Sequence, residues 1–137
     1  MEKDLVELFG QVARRIRRNQ LERLAPLELT PSQSRALRVI TNAEEPLRMA
    51  ELAEHLGVVP RSVTTVVDAL EKAGLAGRTP DPGNRRSILV TPTAKGRAVR
   101  TRMAEARREA AEEVFQPLTA EQREQLRALL ALLDEHE

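Results

Sequence analysis

Pro60-Arg61-Ser62-Val63-Thr64-Thr65 and Gly83-Asn84-Arg85-Arg86-Ser87 are the two stretches whose side chains could do chemistry. They combine guanidinium forks with short hydroxyls. Guanidinium groups bind phosphate oxygens or the O6 and N7 edge of guanine, and hydroxyls bond phosphates or base edges. This is the chemistry of holding a polyanion. Bond-breaking chemistry is not indicated. Glu44-Glu45 and Glu112-Glu113 are adjacent carboxylates, but neighbours on a helix diverge, and no His, Cys or Gly-rich loop accompanies them. His55 and His136 are too few and too separated for a metal site. Without cysteine there are no disulfides, thiol redox sensors or thiolate metal sites. Neither an enzymatic activity nor a cofactor nor a metal is expected.

Charge distribution sharpens the reading. The net charge of the 137 residues is only +1. From Val58 to Arg100, however, eight basic residues face three acidic ones, which leaves the rest of the chain acidic. A basic island suits a polyanionic partner, although a solvated face would look the same. Hydrophobic residues make up 41% of the chain and aromatic residues 1%, Phe9 and Phe115. The core must therefore be built of Leu, Val, Ala and Ile. No apolar run approaches a membrane span, and MEKDLVELFG is too acidic for a signal peptide. A cytoplasmic protein with no membrane partner is expected.

The elements that must position these side chains follow from periodicity. Val58 to Leu70, VVPRSVTTVVDAL, is strand-like in composition because β-branched side chains are stiff in helices. Its apolar residues nevertheless fall at i, i+3, i+4 and i+7: Val63, Val66, Val67 and Leu70. Gly57 before it and Gly74 after it punctuate a helix over Pro60–Ala73, with Pro60 in the first turn. Arg61, Thr65, Asp68 and Lys72 then point away from the apolar side, with Ser62 and Thr64 on the flanks. A shorter helix, Arg48–Leu56, precedes it. Ala76 to Val90 reads as a hairpin with its tip around Pro82 to Asn84. Outside this centre, Lys3–Leu24 is an amphipathic helix that ends near Pro26. Thr30 with Gln33 and Thr119 with Gln122 make capping boxes. A long helix, capped by Thr91 or Thr93, runs to about Phe115, and a last one carries Leu126, Leu129, Leu130 and Leu133. The expected fold is mainly α with a small two- or three-stranded β-wing, a winged helix-turn-helix.

LTPSQSRALRVI, followed by PLRMAELAEHLGVVPRSVTTVVDALEKAGLAGRTPDPGNRRSILVTPTAKGRAV, resembles the MarR family of winged helix-turn-helix transcriptional regulators. The resemblance implies a sequence-specific regulator, a homodimeric repressor bound to an inverted repeat in double-stranded DNA. Residues 1–25 would form an N-terminal dimerisation helix, 30–92 the DNA-binding domain, and 93–137 a long helix plus a second dimerisation helix. Leu5, Phe9, Val12, Leu126, Leu129, Leu130 and Leu133 would line the dimer. Pro60, Arg61, Ser62, Thr64 and Thr65 would lie on the recognition helix, and Gly83, Asn84, Arg85, Arg86 and Ser87 on the wing. Asp81 and Arg86 match the ends of the family's wing motif Asp-x-Arg-Asp-x-Arg. Gly83 and Asn84 depart from it, and Arg85 stands in for the missing tip arginine. Val59 replaces the usual polar helix cap, and Pro92 replaces a leucine. Asp68 and Asp81 would be structural acids, with Arg86 or Arg85 the expected partner of Asp68. A small-molecule effector of unknown identity, anionic or aromatic, also follows from the resemblance. The basic run Arg14, Arg15, Arg17, Arg18 could meet an anion, or simply be a solvated face. The alternative function is a winged-helix module that binds protein or RNA and no operator.

Overall fold

The computed structural model describes residues 2–136. In chain order these form α1 (Leu5–Leu24), a 3-10 turn (Ala25–Leu27), α2 (Pro31–Asn42), β1 (Leu47–Arg48), α3 (Met49–Leu56), α4 (Pro60–Lys72), β2 (Ala76–Asp81), β3 (Asn84–Pro92), α5 (Ala94–Phe115) and α6 (Ala120–Asp134). Two compact units result: a central one, Leu24–Glu105, and a terminal one drawn from both ends of the chain.

The central unit is a winged helix-turn-helix. Its helices start where the side chains can satisfy free backbone donors. Thr30 Oγ1 accepts from the Gln33 N–H at 3.1 Å, Gln33 Oε1 accepts from the Thr30 N–H at 3.2 Å, and Pro31 opens the first turn of α2. Leu37, Leu52, Val63, Val67, Leu70, Val90 and Met103 are all fully buried and join α2, α3, α4, β3 and α5 in one core. The sheet is antiparallel, in the order β1-β3-β2. Its third strand, β1, is only Leu47 and Arg48, opposite Val90 and Leu89.

Several boundaries differ from the sequence expectation. Arg48 belongs to β1, so α3 begins at Met49. Of the two caps expected for α5, Thr91 or Thr93, it is Thr93 that serves, because its Oγ1 accepts from the Gly96 N–H at 3.0 Å while Thr91 remains in β3. The first helix begins at Leu5, since the Asp4 carboxylate accepts from the Glu7 N–H at 2.8 Å and stops the helix there. Beyond Leu24 the chain tightens into the 3-10 turn, and Glu28 takes a left-handed conformation at φ 56°.

The terminal unit contains most of α1, the C-terminal part of α5, and α6. Asn19 Nδ2 donates to the Ala110 carbonyl and Gln20 Nε2 to the Arg107 carbonyl, both at 3.3 Å. Arg23 pairs with Glu109 at 2.9 Å and also with Glu113. Arg123 of α6 reaches Glu112 of α5 at 2.7 Å, and Thr119 with Gln122 forms the second capping box. These polar ties leave most of the apolar residues uncovered. Neither α1 nor α6 has a buried residue. Leu5 is 81% exposed and Leu133 70%, and Phe9, Val12, Leu129 and Leu130 are also exposed, with Leu126 half-buried. No described helix is long and apolar enough to cross a membrane.

Candidate nucleic-acid interface

The site is built on α4. Gly57 ends α3 in the left-handed region at φ 65°, its N–H on the Ala53 and Glu54 carbonyls, and the Val58 N–H also bonds the Ala53 carbonyl at 3.1 Å. Pro60 then starts the next helix after a short turn. Helix propensity disfavours valine and threonine by roughly 0.5 kcal/mol each. Burying a valine side chain contributes about 1.5–3 kcal/mol. Val63, Val67 and Leu70 are completely buried and Val66 partly so, so packing decides the conformation. The opposite face, with Arg61, Ser62, Thr64, Thr65 and Asp68, is exposed.

The two threonine hydroxyls also bond back into the helix. Thr64 Oγ1 donates to the Pro60 carbonyl at 3.3 Å, and Thr65 Oγ1 to the Arg61 carbonyl at 3.4 Å. These are long for hydroxyl bonds. Each hydroxyl is therefore free to rotate and to donate to, or accept from, a ligand.

Asp68 pairs with Arg78, not with Arg85 or Arg86. Arg78 stands on β2 in the regular ladder, opposite Val90, and its Nε also lies 3.8 Å from Glu71. One guanidinium therefore offsets both acids on the C-terminal half of α4. Arg85 and Arg86 lie on a different part of the hairpin. The ladder runs regularly from Ala76↔Pro92 to Pro80↔Ile88, and the next pair is Asp81↔Asn84. Arg85, Arg86 and Ser87 have no partner on β2 and form a bulge, a feature that redirects side chains. Among the described residues, neither guanidinium of the bulge has a hydrogen bond or ion pair.

The tip is closed by its own side chains. Asp81 Oδ1 accepts from the Gly83 N–H at 2.9 Å, and Oδ2 lies 3.4 Å from Arg48 Nε. Asn84 Oδ1 accepts from the Arg86 N–H at 3.1 Å. Gly83 and Asn84, the departures from the family motif, thus sit in a compact turn, and the arginines follow it. A groove of about 400 Å³ between α3, α4 and the wing brings together Met49, Pro60, Thr64, Arg86 and Ser87. Arg48 and Arg78 were not singled out from the sequence. Nothing in the spacing marks Arg48, and Arg78 was visible only as one member of the basic island. Among the described residues, no three His, Asp or Glu side chains gather as metal ligands.

Val59 occupies the position before Pro60, and its side chain caps nothing. Val59→Ser should raise stability by about 1 kcal/mol, seen as a higher urea midpoint at unchanged slope. An unchanged midpoint would mean that the first turn of α4 does not need a side-chain acceptor.

A family model described as the MarR family matches residues 29–88. The HTH-type transcriptional repressor Rv2887 of Mycobacterium tuberculosis is 36% identical over 110 residues, which span 80% of this chain and 78% of that protein. Two solved structures share the architecture. YusO of Bacillus subtilis has a TM-score of 0.85 at 25% identity, covering 98% of this chain and 100% of that one. The apo form of wild-type MarR from E. coli has a TM-score of 0.74 at 28% identity, covering 97% and 98%.

Proposed function

Since the chain belongs to the MarR family of winged-helix, DNA-binding transcription regulators, we propose that it is a homodimeric repressor that reads an inverted-repeat operator in double-stranded DNA. The carrying observation is the uncovered face of α4, with Arg61, Ser62, Thr64 and Thr65, next to a wing bulge whose two guanidinium groups have no partner among the described residues. Residues 30–92 supply the DNA-binding domain. Residues 1–25 and 93–137 supply the dimer, using the exposed apolar side chains of α1 and α6. Two copies place two recognition helices in successive major grooves, roughly 34–36 Å apart. The name of the mycobacterial relative supports repression. A small molecule that favours one separation of the two helices over another would lower operator affinity.

Selection of bound duplexes from a random pool tests this reading. A palindrome with half-sites one helical turn apart is expected, bound with steep salt dependence. Arg86→Ala should weaken all duplexes alike and reduce the salt slope by about 1 per half-site, whereas Thr65→Ala should change the preference among sequences. If neither substitution has its effect, the reading face is misassigned. If no duplex is enriched, a protein- or RNA-binding module takes the place of the regulator.

A further inference from the structure

We propose that Val59 determines operator specificity by packing against the C5-methyl group of a thymine in the major groove. This rests on the operator-binding reading above. Val59 is the residue before the first turn of α4, with an extended backbone at φ −72° and ψ 151° and no side-chain hydrogen bond. Its side chain is 64% exposed. The Ser62 N–H already bonds the Val59 carbonyl at 3.0 Å. A polar side chain at 59 would accept from the Arg61 N–H, so valine gives up stability at this point. Nothing in the central unit offsets that loss, because Val59 does not join the core.

Its neighbour Val58 has a different explanation. It follows the left-handed Gly57, and its N–H bonds the Ala53 carbonyl. An apolar residue commonly occupies that place when a helix ends in this way. Val59 has no such local role. Along the surface it is followed by Arg61, Ser62 and Thr64, all exposed and polar. Val58 is exposed too, but Val59 is the more exposed of the two and stands nearer the end of the helix that meets base edges first in helix-turn-helix proteins. The valine side chain can neither donate to nor accept from a phosphate or a base. Among the major-groove edges, the apolar group is the thymine C5-methyl. The geometry therefore assigns Val59 a base-reading contact, and one that a polar cap could not make.

The test uses the full-length protein and the tightest duplex from the random pool. That duplex is remade with deoxyuridine in place of each thymidine in turn, in both half-sites. Uracil pairs as thymine does and lacks only the methyl group. One symmetry-related pair of positions should weaken wild-type binding about fourfold per methyl lost. Val59→Ser should bind the thymine and uracil forms of that pair equally, while its thermal stability rises, so weaker binding could not be blamed on unfolding. The proposal is overturned if uracil is tolerated at every position, or if Val59→Ser keeps the same thymine preference. Wild-type protein that selects no duplex at all would remove the operator reading and this contact with it. A selected duplex without the methyl effect removes only the contact.

Discussion

Gly96→Ala is expected to destabilise the central unit by about 3 kcal/mol, although it adds one methyl group and touches none of the exposed polar residues. Gly96 is buried, and a Cβ built on it would overlap the Leu75 carbonyl oxygen and crowd the Leu75 backbone. Backbone cannot swing aside as a flexible side chain can. This point is also where the end of α4 is joined to the start of α5. The Thr93 N–H donates to the Leu75 carbonyl at 3.1 Å, and the Thr93 hydroxyl to the Gly74 carbonyl at 2.6 Å. Lys95 Nζ donates to the Ala73 carbonyl at 3.0 Å. Gly74 itself holds φ 78°, so the chain cannot easily be rebuilt around a displaced Leu75. Urea denaturation would show the midpoint falling at unchanged slope. A midpoint within experimental error of the wild type would mean that the close approach is not required. Because the joint lies directly after α4, the helix proposed to read DNA, duplex affinity should fall even where the variant remains folded.

The second large effect concerns assembly. Leu133→Asp, and independently Phe9→Asp, should convert a dimer to a monomer and reduce affinity for a palindromic duplex by about a hundredfold or more. Both side chains are exposed in the single chain, so neither substitution removes a buried core contact within it. Helix content by circular dichroism should be retained. Sedimentation at micromolar concentration should give twice the chain mass for the wild type and the chain mass for each variant. The affinity loss follows because a monomer must bind each half-site separately, without the effective concentration that a tethered second helix provides. Wild-type protein that sediments as a monomer would refute the dimer. So would variants that remain dimeric, for these two contacts.

That α4 is a helix was legible in the sequence because the spacing of Val63, Val67 and Leu70 outweighs the strand-like composition, and burial has the larger magnitude. The boxes at Thr30 and Thr119 and the left-handed Gly57 were legible too, since each depends on residues within a few positions. What failed needed knowledge across the chain. Asp68 was expected to meet Arg86 or Arg85, but the strand register brings Arg78 to it instead. The bulge that separates Arg85 and Arg86 from the ladder has no local signature, because the tip residues fit several hairpin registers. A two-residue strand such as β1 is too short to show alternation. Thr91 and Thr93 are equally good caps by type, and pairing of Thr91 with Gly77 decides between them.

The wing bulge bears on how such a protein diversifies. In a regular hairpin, adding or removing one residue reverses every side chain beyond it. Here the paired strands stop at Pro80 and Ile88, and the turn beyond them is closed by Asp81 and Asn84. No side chain at positions 85–87 pairs with β2, and the bond that Asn84 makes there uses only the Arg86 backbone N–H, so side-chain substitutions can accumulate without disturbing the scaffold. A lineage descended from this chain could acquire new target sites by drift at those three codons, long before its framework had to change.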